Sequence, residues 1–193
     1  MKYLFTGILI LSTIVIKGQN LSIHQSKEGY VITNNDSIGG VITLDLNSNS
    51  ILLKSKSGIR TLSAKLLKKV VLTDSKGVSR TFVSGFWGFE QKTRLFEQLV
   101  AGNNSLLYRE GLKFGRYEEE ESSAYFTLVN GSVYSLGTKK EIINLFTHKK
   151  KIADFVKEYK LDVNVREDLI LLFSHANETS GLRINTVMAI EEL

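Results

Sequence analysis

Residues Arg94 to Glu110 read RLFEQLVAGNNSLLYRE, two apolar runs separated by Gly-Asn-Asn at positions 102–104. A short turn-forming break between apolar runs is typical of a strand, a tight turn and a second strand. This stretch lies near the middle of the 193-residue chain, with strand-like sequence before it and helix-like sequence after a further hairpin. A β-hairpin here therefore indicates a β-rich first part and a helical last part.

Residues 20–137 are predicted to form an antiparallel β region. Their short apolar runs alternate with clusters of Asn, Asp, Ser and Gly, which favour turns. The strongest hairpin signal is Asn130–Gly131, because both residues tolerate the positive φ of a type I′ turn. Asp74–Gly77 marks a second hairpin turn, and Ser63–Lys68 indicates a helical turn between strands.

Residues 138–178 are predicted to form a small helical region. Thr138 with Glu141 fits a capping box, in which the hydroxyl and the carboxylate each accept a hydrogen bond from a free backbone N–H. Asn164 with Glu167 is predicted to form a second cap pair. The third helix is predicted to end near Asn177, which leaves residues 179–193 as a weakly patterned tail, an edge strand or a mobile end. Strands followed by helices predict an α+β fold rather than a parallel βαβ arrangement. Apolar residues recur at helical spacing in three stripes: Ile142, Leu145 and Phe146; Ile152, Phe155, Val156 and Tyr159; Leu169, Leu172, Phe173 and Ala176.

The first residues have the layout of a secretory signal peptide. Met1–Lys2 is positive, Tyr3–Ile16 is apolar with few interruptions, and Lys17–Asn20 is polar. A helix of about fourteen residues spans only ~21 Å, against ~30 Å of bilayer hydrocarbon, so a signal peptide is favoured over an uncleaved anchor. Residues 1–18 are therefore predicted to be removed from an exported, periplasmic or secreted protein without a membrane span after cleavage.

Composition narrows the classes of partner. The chain carries 25 basic and 20 acidic residues, and removal of Lys2 and Lys17 leaves 23 basic residues and a net charge of +3. So small a positive charge on an exported protein does not indicate a nucleic-acid partner. The chain has no Cys, so its stability must come from burial and hydrogen bonds rather than disulfides.

The residue types used in common enzymatic chemistry are scattered. His24, His148 and His175 are far apart, and a meeting of the last two with a Glu is less expected than two structural histidines. Glu118–Glu121 lacks the spacing of a calcium loop, which favours a solvated loop over a cation site. No nucleophile elbow, phosphate-binding loop or zinc-protease motif occurs. We therefore assign no catalytic, cofactor-binding or metal-binding residue from the sequence.

The segment Phe86–Phe89 reads Phe-Trp-Gly-Phe and supports two interpretations. Three rings in four residues suit a ligand platform, because flat rings stack on sugars and bases. The same residues suit a core strand whose glycine allows a neighbouring backbone to come close. The core interpretation is favoured, and it places Trp87, the single Trp of the chain, inside the β region.

The order of these elements resembles a loose group of short secreted Bacteroidetes-type proteins with no assigned activity. The resemblance covers nearly all of the mature chain as a pattern of elements. It implies a secreted or periplasmic protein with no catalytic residues to transfer, and an O-glycosylation acceptor at Asp36-Ser37-Ile38. It is carried by Tyr30–Thr33 and Asp36–Ile42, the hairpins Leu95–Tyr108 and Tyr125–Leu136, and the helices over Lys139–Asn177.

These observations favour a secreted or periplasmic, non-enzymatic binding or structural module that needs no cofactor. Its ligand is not specified by the sequence, and the expected partner belongs to the cell envelope or is a carbohydrate. The alternative is a small extracellular hydrolase that uses carboxylates. Two acids about 5–10 Å apart in a cleft would favour the hydrolase. An exposed aromatic or apolar patch would favour the binding module.

Overall fold

The computed structural model describes residues 26–109 and 124–191, with side chains up to residue 179. Within these ranges ten strands precede three α-helices, which confirms the predicted α+β class with a β-rich first part and a small helical last part. The predicted signal peptide at residues 1–18, His24 and the acidic run Glu118–Glu121 lie outside the described residues.

The described elements follow one another through short connections and one longer one between β8 and β9. A 3-10 helix, Ala64–Leu66, lies where the sequence predicted a helical turn. The helices are α1 (Lys139–Asn144), α2 (Lys149–Glu158) and α3 (Arg166–Glu191). The strands are β1 (Lys27–Thr33), β2 (Ser37–Asp45), β3 (Ser50–Ser55), β4 (Gly58–Ser63), β5 (Leu67–Thr73), β6 (Ser79–Trp87), β7 (Lys92–Val100), β8 (Ser105–Tyr108), β9 (Tyr125–Val129) and β10 (Ser132–Ser135).

All ten strands belong to one sheet, whose order is β10-β9-β8-β7-β6-β5-β1-β2-β3-β4. Consecutive neighbours in this order are antiparallel, as predicted. β10 also pairs in parallel with the end of β6, where Ser132 lies opposite Phe86 and Val133 opposite Trp87. This additional pairing closes β6–β10 into a five-stranded barrel, and β1–β5 extend from it to the last strand, β4.

Three buried apolar clusters hold these parts together. The first is formed by strands β1–β5 and the 3-10 helix, and it is completed by Phe82 of β6 and Leu95 of β7. The second fills the barrel and includes Trp87. The third lies between the outer face of β7–β8 and the helices, where the rings of Phe146 and Phe173 meet edge to face at 5.2 Å. Since burial of apolar area is the main favourable term in folding, the helices are fixed to the barrel by this third cluster.

The central hairpin is confirmed as β7 and β8, joined by residues 101–104. Gly102 has a φ of 133°, a backbone conformation that residues other than glycine rarely adopt. The hairpin of β9 and β10 is also confirmed, because Asn130 and Gly131 both have positive φ, at 49° and 81°. Turn chemistry in the sequence thus located two hairpins of the barrel correctly.

The predicted start of the helical region is confirmed. The hydroxyl of Thr138 accepts the N–H of Glu141, and the Glu141 carboxylate accepts the N–H of Thr138 at 2.7 Å. Three consecutive lysines, Lys149–Lys151, form the first turn of α2. The apolar stripes are narrower than predicted, however, since Leu145 and Tyr159 are exposed.

Two predictions about the last helix are wrong. Asn164 and Glu167 do not form a cap pair: α3 begins two residues after Asn164, whose side chain donates to the carboxylate of Asp162 in a local turn. The helix also continues past Gly181 to Glu191, through most of the predicted tail. A single Gly inside a helix costs only about 1 kcal/mol, so Gly181 does not have to end it.

Candidate functional site

Trp87 belongs to the core of the barrel. Alternation along β6 directs Val83, Gly85 and Trp87 to the interior, and Trp87 is only 4% exposed. Its ring meets the ring of Phe126 edge to face, with centroids 5.4 Å apart and an interplanar angle of 87°. The core interpretation of Trp87 is therefore confirmed, and the indole is not available as a platform for a ligand.

Gly85 explains how β10 can lie against β6 at this point. A Cβ at Gly85 would collide with Cγ2 of Val133, which projects from β10 into the barrel. The absence of a side chain thus lets the parallel pairing form, and this pairing in turn fixes which way the neighbouring residues face. Phe86, between Gly85 and Trp87, must point to the outside of the barrel.

Four exposed apolar residues surround this seam, and we call Phe86, Phe89, Val129 and Tyr134 the aromatic surface. Phe86 is 40% exposed, and Phe89 and Tyr134 are each exposed over more than half of their area. Strand register puts Phe86 opposite Ser132, which in turn lies opposite Val129. With strands ~4.8 Å apart, Phe86 is ~10 Å from Val129 and ~8 Å from Tyr134.

Phe89 extends the aromatic surface along the rim of the barrel. It lies in the turn after β6, and its ring centroid is 6.4 Å from that of Trp87. In the parallel pairing, Trp87 lies opposite Val133. Tyr134, which follows Val133, is therefore level with Gly88, the residue before Phe89. The three exposed rings are thus contributed by β6, by the turn that follows it and by β10.

Two hydroxyl groups flank Phe86 on the same face. Thr93 of β7 and Ser132 of β10 lie opposite it on either side, and both are half-buried. Neither hydroxyl has a hydrogen-bond partner among residues 26–109 and 124–179. The aromatic surface therefore combines flat rings with free hydroxyls that can donate to or accept from a polar ligand.

Glu97 is the most buried carboxylate in the described part of the chain, and both of its oxygens accept hydrogen bonds. Arg80 donates to both of its oxygens, from Nε at 2.7 Å and from Nη2 at 2.6 Å. A second guanidinium, that of Arg166, lies 3.8 Å from the same carboxylate. Because Arg80 occupies both carboxylate oxygens, Glu97 serves to join β6 to β7 rather than to contact a substrate.

Other acids are held in turns and caps. Hydrogen bonds from the backbone N–H of Val78 and of Lys76 keep the pKa of Asp74 below its usual value. The N–H and hydroxyl of Thr138 do the same to the pKa of Glu141. Such groups stay ionised and serve local structure, which does not favour the carboxylate-dependent hydrolase.

Arg109 is a buried cation that the sequence analysis missed. Its Nη1 donates at 2.6 Å both to Oδ1 of Asn49 and to the carbonyl of Leu95, and its Nη2 donates to the carbonyl of Leu46. Burial, with a smaller contribution from the nearby charge of Arg94, lowers the pKa of Arg109 to about 10. Arg109 therefore ties the β2–β3 turn to the barrel, and no sequence signal other than its position after β8 pointed to this.

The described histidines do not meet. The ring of His175 stacks on Phe155 with centroids 3.8 Å apart and an interplanar angle of 7°. His148 precedes α2 and makes no capping hydrogen bond through its side chain. Within residues 26–109 and 124–179, no three His, Asp or Glu side chains are grouped in a way that could hold a metal ion.

Two short motifs from the sequence lie at exposed turns. Asp36 and Ser37, of the predicted O-glycosylation acceptor, are exposed at the start of β2. Asn130, of the triplet Asn130-Gly131-Ser132 that fits an N-glycosylation acceptor in a eukaryotic secretory route, begins the turn between β9 and β10 and is exposed as well. These positions are accessible to a modifying enzyme, and the modification itself stays a prediction.

Among the described residues, no helix combines the length and the apolar character required to cross a bilayer. No family model, curated protein or solved structure matches this chain. The function must therefore be argued from the surfaces and side chains of the chain itself.

Proposed function

We propose that this chain is an exported, non-enzymatic binding module that holds a glycan of the cell envelope against the aromatic surface. The observation that carries the proposal is the exposure of Phe86, Phe89 and Tyr134 around one seam of the barrel. Soluble proteins rarely expose contiguous apolar groups without an interaction that uses them. Phe89 lies in a turn, but Phe86 and Tyr134 lie on strands, so the ladder of the barrel holds these two rings.

A carbohydrate fits this surface chemically. Phenyl and phenol rings offer flat apolar faces to the C–H faces of a sugar, and the phenol of Tyr134 adds a polar group. The hydroxyls of Thr93 and Ser132 lie beside Phe86, where they can bond to sugar hydroxyls. The four residues of the aromatic surface carry no formal charge, which suits a neutral ligand better than an ionic one.

Export is the other part of the proposal. Its support is the positive start, the apolar run and the polar exit of residues 1–20. The lack of Cys shows that this fold does not depend on disulfides and so can form in either redox environment. Membership of the group of secreted Bacteroidetes-type proteins remains part of the same proposal.

Sedimentation with insoluble polysaccharides tests the glycan-binding role. Mature protein is mixed with peptidoglycan sacculi, chitin or cellulose, and the bound fraction is measured across protein concentrations. We expect wild-type protein to bind at least one of these, and the double variant Phe86→Ser with Tyr134→Ser to bind at least about fivefold more weakly. This estimate takes ~0.5–1.5 kcal/mol for each stacked ring.

The matched control is Val78→Ser, which removes an exposed apolar side chain from the β5–β6 turn, away from the aromatic surface. Its binding should equal that of wild-type protein. The glycan-binding proposal fails if wild-type protein sediments with none of the three polymers. It also fails if the double variant, folded by circular dichroism, binds as tightly as the control.

A further inference from the structure

The last strand of the sheet, β4, has a free edge. In the sheet order it follows β3 and has no second neighbour among the described residues. All of its residues are exposed except Leu62, which is half-buried. An edge of this kind presents unpaired backbone N–H and C=O groups that can pair with another strand.

The phase of the β3–β4 ladder identifies the groups that face outward. Ala64 donates its N–H to the carbonyl of Asn49 at 2.8 Å, and these two residues continue the β3–β4 register. Hydrogen-bonded pairs alternate along an antiparallel ladder, so the even-numbered residues of β4 bond to β3. The N–H and C=O groups of Ile59 and Thr61, and the N–H of Ser63, therefore point away from the sheet, whereas the C=O of Ser63, the N-cap residue, belongs to the 3-10 helix that follows.

The stretch of sequence around this edge is basic and contains no acid. Between Ser50 and Thr73 the chain has six basic residues and no Asp or Glu. Five of the six are exposed and one is half-buried, and none forms an ion pair with a described residue. The six are Lys54, Lys56, Arg60, Lys65, Lys68 and Lys69.

This charge pattern excludes one occupant of the edge and favours another. An antiparallel pairing of two copies through β4 would bring Arg60 towards its own equivalent and oppose the two basic sets. Like charges across a strand pair are destabilising, whereas opposite charges stabilise it. Basic side chains thus protect the edge against self-association but not against an acidic strand.

We propose that β4 is a docking edge for an extended acidic segment of a partner protein, which adds to the sheet as an eleventh strand. The outward amides and carbonyls of Ile59 and Thr61, with the amide of Ser63, supply the backbone hydrogen bonds of this strand addition. Ile59 is 65% exposed and contacts apolar side chains of the incoming strand. The basic residues select Asp and Glu at the remaining positions. This docking edge is at the opposite end of the sheet order from the aromatic surface and does not depend on it.

Three fluorescein-labelled heptapeptides test strand addition by fluorescence anisotropy at low ionic strength. The first is Thr-Glu-Val-Glu-Thr-Glu-Val, blocked at both ends. The second has the same sequence with N-methyl groups on alternate residues, which removes backbone donors along one edge and keeps every charge. The third has Lys in place of Glu. We expect the first peptide to bind, and the other two to bind at least tenfold more weakly.

A substitution in β4 itself provides a second test of strand addition. Thr61→Pro removes one outward N–H without removing a bond to β3, because Thr61 does not donate into the ladder. It should weaken binding of the first peptide at least tenfold. Equal binding of the first two peptides would overturn the proposal in favour of charge-driven capture of any polyanion. No binding of the first peptide up to 1 mM would overturn it outright, and the N-methyl comparison decides the matter even if Thr61→Pro fails to fold.

Discussion

Trp87 and Phe86 are adjacent residues in opposite environments. The indole of Trp87 lies in the barrel against Phe126, whereas the ring of Phe86 projects outward and is 40% exposed. The difference follows from the period of two along a strand, which sends neighbours to opposite faces. Either residue could have been the inner one, and it is the closure by β10 at Gly85 that sets the choice.

Trp87→Ala should therefore destabilise the protein strongly. Loss of a buried aromatic side chain and the cavity it leaves cost about 3–5 kcal/mol in free energy of unfolding. For a domain of this size that is a large share of a total of about 5–15 kcal/mol. Urea unfolding should be followed by far-UV circular dichroism, because the substitution removes the single Trp of the chain.

The adjacent substitution Phe86→Ala is the control for Trp87. It shortens a partly exposed ring on the outer face and should cost less than about 1 kcal/mol. Emission from wild-type protein should also be blue-shifted, as for a buried indole. A Trp87→Ala protein that unfolds at the wild-type urea concentration would contradict the placement of the indole in the core.

At the level of elements, the side-chain amide of Asn177 joins α3 to the β7–β8 turn. Asn177 donates from Nδ2 to the carbonyls of Ala101 and Asn104, each at 3.0 Å, and its Oδ1 accepts the N–H of Asn104 at 2.9 Å. The side chain thus bonds to the turn as a neighbouring peptide group would. Gly102 is needed beside it, since a Cβ there would lie 2.7 Å from the Asn177 side chain.

Asn177→Ala should weaken the attachment of α3 to the barrel. It removes three hydrogen bonds, two of them partly buried, and we expect a loss of about 1–3 kcal/mol in free energy of unfolding. Amide hydrogen exchange should speed up most at Asn104. Asn177→Asp should be at least as harmful, because a carboxylate cannot donate to the two carbonyls.

The neighbouring Glu178 provides a control on the same helix. It is exposed and makes no hydrogen bond or ion pair with the described residues, so Glu178→Ala should change stability by less than about 0.5 kcal/mol. If Asn177→Ala and Glu178→Ala gave the same unfolding curve, the amide would have no role in joining the turn to α3.

At the level of the whole molecule, distant contacts join the three parts. Arg109 bonds to Leu46, which is 63 positions away, and so fixes the β1–β5 extension on the barrel. Asn177 reaches a turn 73 positions away and fixes the helices on the other side. Since each contact closes a long loop, these joints form only when the elements on either side are already in place.

The proposed export concerns the whole chain, and it predicts a defined processing event. Mass spectrometry of protein from the culture medium or the periplasm should find a chain that lacks Met1 to about Gly18. Leu9→Arg puts a charge into the apolar run and should leave full-length precursor in the cell. Val78→Arg places the same charge on an exposed turn and should leave processing unchanged. An intact Met1 on membrane-bound wild-type protein would indicate an uncleaved anchor instead.

The sequence by itself determined the features that depend on neighbouring residues. Turn chemistry at positions 102–104 and 130–131 located two hairpins, and the spacing of Thr138 and Glu141 located the first helix. Their order was sufficient for the α+β class. These signals are short-range, because a turn or a cap is stabilised by groups only a few residues apart.

Only the tertiary structure decided which surfaces of these elements are available. The parallel pairing of β10 with β6 turns Phe86 outward and Trp87 inward, and the position of β4 at the end of the sheet leaves its edge open. The role of Arg109 likewise depends on the tertiary structure, because its hydrogen-bond partners Asn49 and Leu95 come close to it only in the folded chain. Each of these outcomes depends on strands far apart in sequence, and neither alternation nor composition specifies which distant strands will meet.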